Sequence, residues 1–263
     1  MPVVVGVRFK RADKIKYFNA AGYEALEAGD WIIVETSRGK EAARVIIPPQ
    51  DVPEAQLSSS PKPILKIAEP GDLLQMQRLR SREAEVLEKC RSIVAEAGLA
   101  MKVVKAEYSF DGSRLTFYFT AEKRIDFRHL VRDLAKSLRT KIEMRQIGVR
   151  DQAKISGGIG PCGMTLCCSS WLTDFSPVSI NMAKTQDLPL SPMEVSGLCG
   201  RLRCCLAFEN EYYRQVKEAL PRLKEKVTTA YGPGHITAVN VLKETVSVKL
   251  ENEITIEVPI SEL

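Results

Sequence analysis

The sequence predicts an α+β protein, and three observations carry that expectation. Short β-branched and aromatic runs separated by glycines open and close the chain, a long central stretch switches to helical spacing, and the joins between them are rich in proline, glycine and serine. The 263 residues are 44% hydrophobic and 27% charged, an ordinary globular composition that excludes collagen-like, rod-like and low-complexity classes. The length suits one large domain or two to three small ones. The expected division is an N-terminal β-rich module (1–60), a central α+β domain (61–150), a cysteine-rich region (151–225) and a small C-terminal β-barrel of SH3-like type (226–263).

In the first module, Val3 to Phe9, Lys14 to Phe18, Trp31 to Thr36 and Glu41 to Ile47 read as strands, with Gly22, Gly29 and Gly39 at the turns. Pro48, Pro49, Pro53, Pro61 and Pro63, with Ser58, Ser59 and Ser60 among them, read as a connector that sustains neither ladder nor helix.

From Asp72 to Ala97 the apolar residues Leu73, Met76, Leu79, Val86, Leu87, Cys90 and Val94 recur near helical spacing, and Gly98 stands where a helix stops. Met101 to Phe110 and Arg114 to Thr120 flank Asp111-Gly112, a pair suited to the positive φ values of a type I′ hairpin turn. Phe127 to Leu138 reads as a second helix and Lys141 to Ile147 as a strand, giving the order α-β-β-α-β. Sheet and helices must then bury each other as layers.

Near the C-terminus, Val227 to Ala230, His235 to Val241, Thr245 to Glu251 and Glu253 to Pro259 are strand-like. Tyr231-Gly232-Pro233-Gly234 and Glu251-Asn252 read as turns between them.

The informative signal is a repeat of cysteines. Gly160-Pro161-Cys162-Gly163-Met164-Thr165-Leu166-Cys167-Cys168 and Gly197-Leu198-Cys199-Gly200-Arg201-Leu202-Arg203-Cys204-Cys205 share the pattern G-x-C-G-x-x-x-C-C at an offset of 37 residues. Six of the seven cysteines fall in it. No run of the chain is long enough in apolar residues for a membrane helix, and the opening MPVVVGVRF passes quickly into charge, so neither a span nor a signal peptide is expected and the expected location is the cytoplasm. In that reducing compartment disulfides are disfavoured and metal or redox chemistry is the natural use of six patterned thiols. Thiolates select soft or borderline metals, which leaves an iron-sulfur cluster and zinc as candidates. Four of Cys162, Cys167, Cys168, Cys199, Cys204 and Cys205 would make a tetrahedral zinc site, and a 4Fe-4S cluster needs four. Adjacent cysteines diverge by about 100° on a helix, so both members of a pair need not bind one metal. Two copies with the same flanking glycines predict a site assembled from both, the glycines letting backbone approach a cofactor. Cys90 lies outside the repeat on an apolar helical stripe and reads as a packing residue.

These residues also resemble a family. The double G-x-C-G-x3-C-C block, the preceding Ile155-Ser156-Gly157-Gly158-Ile159-Gly160, the trailing Ser169-Ser170-Trp171-Leu172 and the opening Val5-Gly6-Val7-Arg8-Phe9 resemble the bacterial RicT (YaaT) family over essentially the whole chain. Residues about 62 to 147 resemble the C-terminal domain of the yeast polymerase-suppressor protein. The resemblance implies a non-enzymatic regulatory subunit, in complex with the small helical proteins RicA and RicF, that binds 4Fe-4S clusters. It further implies association with the endoribonuclease RNase Y and effects on messenger RNA maturation, sporulation, competence and biofilm formation.

Other features have plainer readings. Gly158-Ile159-Gly160-Pro161-Cys162-Gly163 satisfies G-x-G-x-x-G, but Gln152 to Ser156 is a poor strand, so a dinucleotide loop is not expected. His129 and His235 read as ordinary residues, and neither stands near a cysteine block in sequence. That weakens the alternative of a thiol-dependent enzyme, which needs a base beside its nucleophile. The net charge of +5 permits an anionic partner without demanding one. Arg145, Arg150, Lys154, Arg201, Arg203 and Arg214 are interleaved with Asp151, Asp174, Glu209 and Glu211, so a mixed solvated surface is expected there, with any RNA contact made alongside a partner. A structural zinc protein associated with RNA is the remaining alternative.

Overall fold

β-branched residues set the first sheet. In the computed structural model, which describes residues 2–10, 12–37, 39–53 and 60–263, strands β1 (Val3–Arg8), β2 (Lys16–Asn19), β3 (Trp31–Thr36), β4 (Gly39–Asp51) and β5 (Ile64–Ile67) form an antiparallel sheet in the order β2-β1-β4-β3-β5. Val5, Val7, Phe18, Ile32, Val34, Ala43 and Val45 make its core.

Pro48 and Pro49 lie inside β4, contrary to the expectation that they end the ladder. The register explains the difference. Gly6 faces Ile47 and Val4 faces Gln50, so both prolines fall in a bulge opposite the single residue Val5. β3 pairs only with residues 39–44 on the other side. No ladder hydrogen bond is asked of either missing N–H. Ser58 and Ser59 of the expected connector lie outside the described residues, and its far end becomes β5.

The central domain follows the expected order: α1 (Pro70–Glu96), β6 (Lys102–Tyr108), β7 (Arg114–Thr120), α2 (Arg128–Leu138) and β8 (Lys141–Gln146). The three strands form a sheet β6-β7-β8 in which β7 and β8 run parallel. Val86, Cys90 and Val94 of α1 and Leu130 and Leu134 of α2 cover one face, packed on Val103, Leu115, Phe117 and Ile142. The β6–β7 turn is not type I′, because Gly112 (φ +70°) has positive φ and Asp111 does not. Asp111 instead accepts hydrogen bonds from the Ser113 N–H and from the Ser109 and Ser113 hydroxyls, which stabilises a longer turn.

The chain divides into two compact units, residues 1–174 and 175–263. The first closes with α3 (Val149–Ser156) and the short α4 (Cys167–Ser170). The second opens with α5 (Ile180–Thr185), α6 (Pro192–Val195) and α7 (Cys204–Ala219), continues through β9 (Lys226–Thr229), β10 (Gly232–Asn240), β11 (Thr245–Leu250) and β12 (Thr255–Pro259), and ends in a 3-10 turn, Ile260–Glu262. Their sheet has the order β12-β11-β10-β9 and is open, which corrects the expected closed barrel. β9 pairs with only the first four residues of β10, and Tyr213, Val216 and Leu220 complete the core around Ile236, Val246 and Val248. A helix thus covers what closure would have covered.

The expected turn at 231–234 is shorter than its composition suggests, since Gly232, Pro233 and Gly234 already pair with β9. Gly234 must be glycine, because a Cβ there would stand 2.7 Å from the Lys249 carbonyl oxygen.

Candidate metal centre: two matching cysteine knuckles

Each cysteine block folds into a tight hairpin that feeds a helix. In the first, the Gly163 N–H donates to the Gly160 carbonyl (2.9 Å), the Gly160 N–H to that of Met164 (2.8 Å) and the Leu166 N–H to that of Gly158 (3.1 Å). In the second, Gly200 donates to Gly197 (2.9 Å), Gly197 to Arg201 (2.8 Å) and Arg203 to Val195 (2.9 Å). Every donor and acceptor is displaced by the 37 residues of the sequence repeat. Gly163 (φ +79°) and Gly200 (φ +72°) both take the left-handed conformation that a residue with Cβ resists. The glycine N–H groups at these positions therefore close the turn. Gly160 has another reason: a Cβ there would press on Cys162 Sγ at 3.3 Å.

The result is one local geometry built twice. Cys162 and Cys199 sit at the turns, and Cys167-Cys168 and Cys204-Cys205 are the first two residues of α4 and α7. The helical offset divides the pair in the first knuckle, where Cys168 is buried and Cys167 is half-exposed, with Cys162 exposed. Cys199, Cys204 and Cys205 are half-exposed. Burial, helped by Glu209 and Cys204, pushes the Cys205 thiol up.

The surroundings hold each knuckle in place. Ser169 and Ser170 hydroxyls donate to the Leu166 carbonyl at the start of α4. In the second unit, Ala183, Val195 and Leu206 form a small core. There the buried Gln186 Nε2 donates to the Leu206 carbonyl at 2.7 Å, and the Arg203 guanidinium donates to the Ser196 carbonyl. Arg203 thus braces its knuckle, and Arg214 pairs with Glu211 and Glu218, in keeping with a solvated mixed surface. Arg145 and Lys154 lie in a different place, a groove of the first unit.

The donors suit a soft metal or cluster in kind, but the three thiols of one knuckle fall short of the four that a tetrahedral zinc or a cubane cluster takes. Among the described residues no group of three or more His, Cys, Asp or Glu side chains is arranged to hold a metal ion by itself. Cys90 is buried within the central core. His129 is exposed on α2 and His235 on β10, elements other than the knuckles. Gln152 to Ser156 belong to helix α3, so the strand that a dinucleotide-binding loop requires is replaced by a helix.

Sequence reasoning missed the apolar side chains that each knuckle displays. Ile159 (69% exposed) and Met164 (70%) belong to the first and Leu198 (64%) to the second, with Met193 (89%) on α6 just before it. The available signal was the apolar residue at turn positions of the motif, where polar residues are usual.

Comparison with known proteins matches the PSP1 C-terminal conserved region at residues 62–147, from just before β5 to the end of β8, and the third domain of PSP1-like proteins at residues 177–220, which contain the second knuckle. The chain is 47% identical to the stage 0 sporulation protein YaaT of Bacillus subtilis over 249 residues, spanning 95% of this chain and 90% of that protein. It is 33% identical over 149 residues to an uncharacterised Schizosaccharomyces pombe protein, covering 46% of this chain and 20% of the relative. With protein PSP1 of Saccharomyces cerevisiae it shares 46% identity over 44 residues, 17% of this chain and 5% of that protein. No solved structure matches. With nearly the full length of both chains aligned at that identity, the protein belongs to the YaaT (RicT) family, and its central domain is of the PSP1 C-terminal type.

Proposed function

We propose that the chain is a non-enzymatic regulatory adaptor, acting in the cytoplasm, whose knuckles each contribute thiolates to a 4Fe-4S cluster completed by a partner subunit. The partners are helical proteins of the RicA and RicF type, and the complex modulates messenger RNA processing by RNase Y. Sporulation, to which the name of the Bacillus subtilis relative refers, is then the process it regulates, with competence and biofilm formation as the further outputs of the same RNA processing.

The observation that carries this reading is the duplication of one knuckle geometry, with thiols and exposed apolar side chains on the same few residues. A catalytic nucleophile is needed once. A docking element that also supplies metal ligands is well served by repetition. Cys162, Cys167, Cys199 and Cys204, the outer C-x4-C positions, are the favoured ligands; accessibility separates Cys167 from the buried Cys168 in the first knuckle only, and Cys168 and Cys205 are the reserve. When bound, a cluster ties these thiolates together and can gain or lose an electron. The protein's own part is to present the sulfurs on a preformed turn, to leave room for an outside ligand and to offer apolar surface to the subunit that brings it. Because the cluster would be shared, its loss weakens the complex. No helix is long and apolar enough to cross a membrane among the described residues.

The test is co-purification of the full chain with RicA- and RicF-type partners, comparing the wild type with a variant carrying serine at all six knuckle cysteines. The expected result is loss of iron together with loss of the large complex. An unchanged complex and affinity in the serine variant overturn the shared-cluster adaptor, and recovery of stoichiometric zinc without sulfide replaces it with the structural zinc protein.

A further inference from the structure

The first unit contains a groove of about 570 Å³ between the N-terminal sheet and the open face of the central sheet. Among the described residues that line it, nine are basic and five acidic, an excess of four in a chain whose total excess is five. The groove therefore carries a local net positive charge.

Several cations there are already neutralised. Lys10 and Lys105 pair with Glu107, Lys14 with Asp174, Arg114 with Glu143, and Lys154 with Asp13. Burial alone raises the Glu107 carboxyl, but Lys10 and Lys105 outweigh it and hold it below the ordinary value, so that charge is spent internally. Lys16, Lys40, Arg80 and Arg145 remain: all four are exposed, and among the described residues none makes an ion pair. On the acidic side, burial pushes the Glu83 carboxyl up.

The floor of the groove is the sheet face that α1 and α2 leave uncovered. Strand register sets Lys105, Tyr118 and Arg145 side by side across β6, β7 and β8. Aromatic rings alternate with the cations. Lys10 Nζ lies 5.7 Å from the Tyr118 ring centre and Lys16 Nζ 5.3 Å from that of Phe9; Phe110 lines the wall half-buried, and Tyr108 beside it packs on the central core with Arg82 5.8 Å from its ring. A lysine resting on a ring can swing to a phosphate while a base takes its place on the ring face. Cations spaced among aromatic rings on an open sheet suit a chain of phosphates bearing flat bases. An acidic peptide would use the charge and leave the rings without a role.

We propose that this groove binds single-stranded RNA directly, with Lys16, Lys40, Arg80 and Arg145 on phosphates and the aromatic side chains Phe9 and Phe110 as stacking surfaces. Binding is weakly sequence-dependent, because neither stacking nor phosphate contact reads a base edge. The site is independent of the knuckles, and this reading stands whether or not they hold a cluster.

The test is fluorescence anisotropy of a short labelled oligouridylate with the full chain across a salt series. Four phosphate contacts predict a slope of log affinity on log salt of about −3, or roughly fifty-fold weaker binding between about 50 and 200 mM salt. The triple variant Lys16→Glu, Lys40→Glu, Arg145→Glu should bind at least about tenfold more weakly with a flatter slope. The equally charged control Lys89→Glu, Lys123→Glu, Lys136→Glu should stay within about threefold of the wild type, as should the six-serine knuckle variant. Ultraviolet crosslinking of the wild type needs no variant and should label peptides from the segments 7–18 or 102–118. The proposal is overturned by absence of binding at low salt, by equal loss in the control variant, by crosslinks confined to residues 175–263, or by polyglutamate competing as well as RNA.

Discussion

Cys90 and the knuckle cysteines show how far environment separates residues of one type. Cys90 is fully buried between α1 and the central sheet, and burial pushes its thiol up to about 12, against a smaller opposing pull from Arg91. Below the unfolded-state value of 9 both states hold the proton, so the stabilisation is complete there. Between 9 and about 12 only the folded state does, and stability falls as pH rises. A Cys90→Ala variant is therefore expected to lose stability less steeply than the wild type over that window, as read by urea unfolding at stepped pH. Equal slopes would show that the thiol is not the group responsible. The same burial should leave Cys90 unalkylated in the native protein while Cys162, exposed on its turn, reacts first.

At the scale of elements, the knuckle is the unit that matters, and its glycines are its weakest points. Gly163 and Gly200 have open space around them, so a side chain there meets no neighbour and the cost of substitution is backbone strain alone. Alanine at either should cost roughly 1–2 kcal/mol, and asparagine should cost less because it tolerates the left-handed region better. Denaturant unfolding of the four variants checks this. Equal costs for alanine and asparagine would mean that the turn relaxes to another conformation.

The repeat itself was legible in the sequence because its determinants are local: glycine at a positive φ and cysteine at a fixed offset. The α-β-β-α-β order was legible for a similar reason, since periodicity and a stop at Gly98 are properties of neighbouring residues. What escaped was set by partners distant in the chain. Pro48 and Pro49 sit in a strand because β4 bulges there, opposite the single residue Val5 of β1. The C-terminal sheet stays open because Tyr213, Val216 and Leu220 of the α7 segment supply its cover. The basic groove was divided among residues from Phe9 to Thr173, so Arg145 and Lys154 looked like members of a mixed charged surface around the cysteines.

For the whole molecule, the two functions proposed here use different residues: knuckles with apolar rims for a protein partner, and a basic aromatic groove for RNA. An adaptor organised in this way joins a regulatory complex to the transcript on which a nuclease acts, and it needs no catalytic group of its own. Its central requirement is that the cysteine knuckles hold iron and sulfide. That requirement is tested most directly by purifying the full chain with its helical partners under anaerobic conditions and measuring iron, acid-labile sulfide and zinc. The same measurement is then made with serine at Cys162, Cys167, Cys199 and Cys204 and, separately, with serine at Cys90. The expected result is iron and sulfide in equal amounts, lost in the knuckle variant and kept in the Cys90→Ser variant. Stoichiometric zinc without sulfide, or iron lost equally from the Cys90→Ser and knuckle variants, would contradict the account.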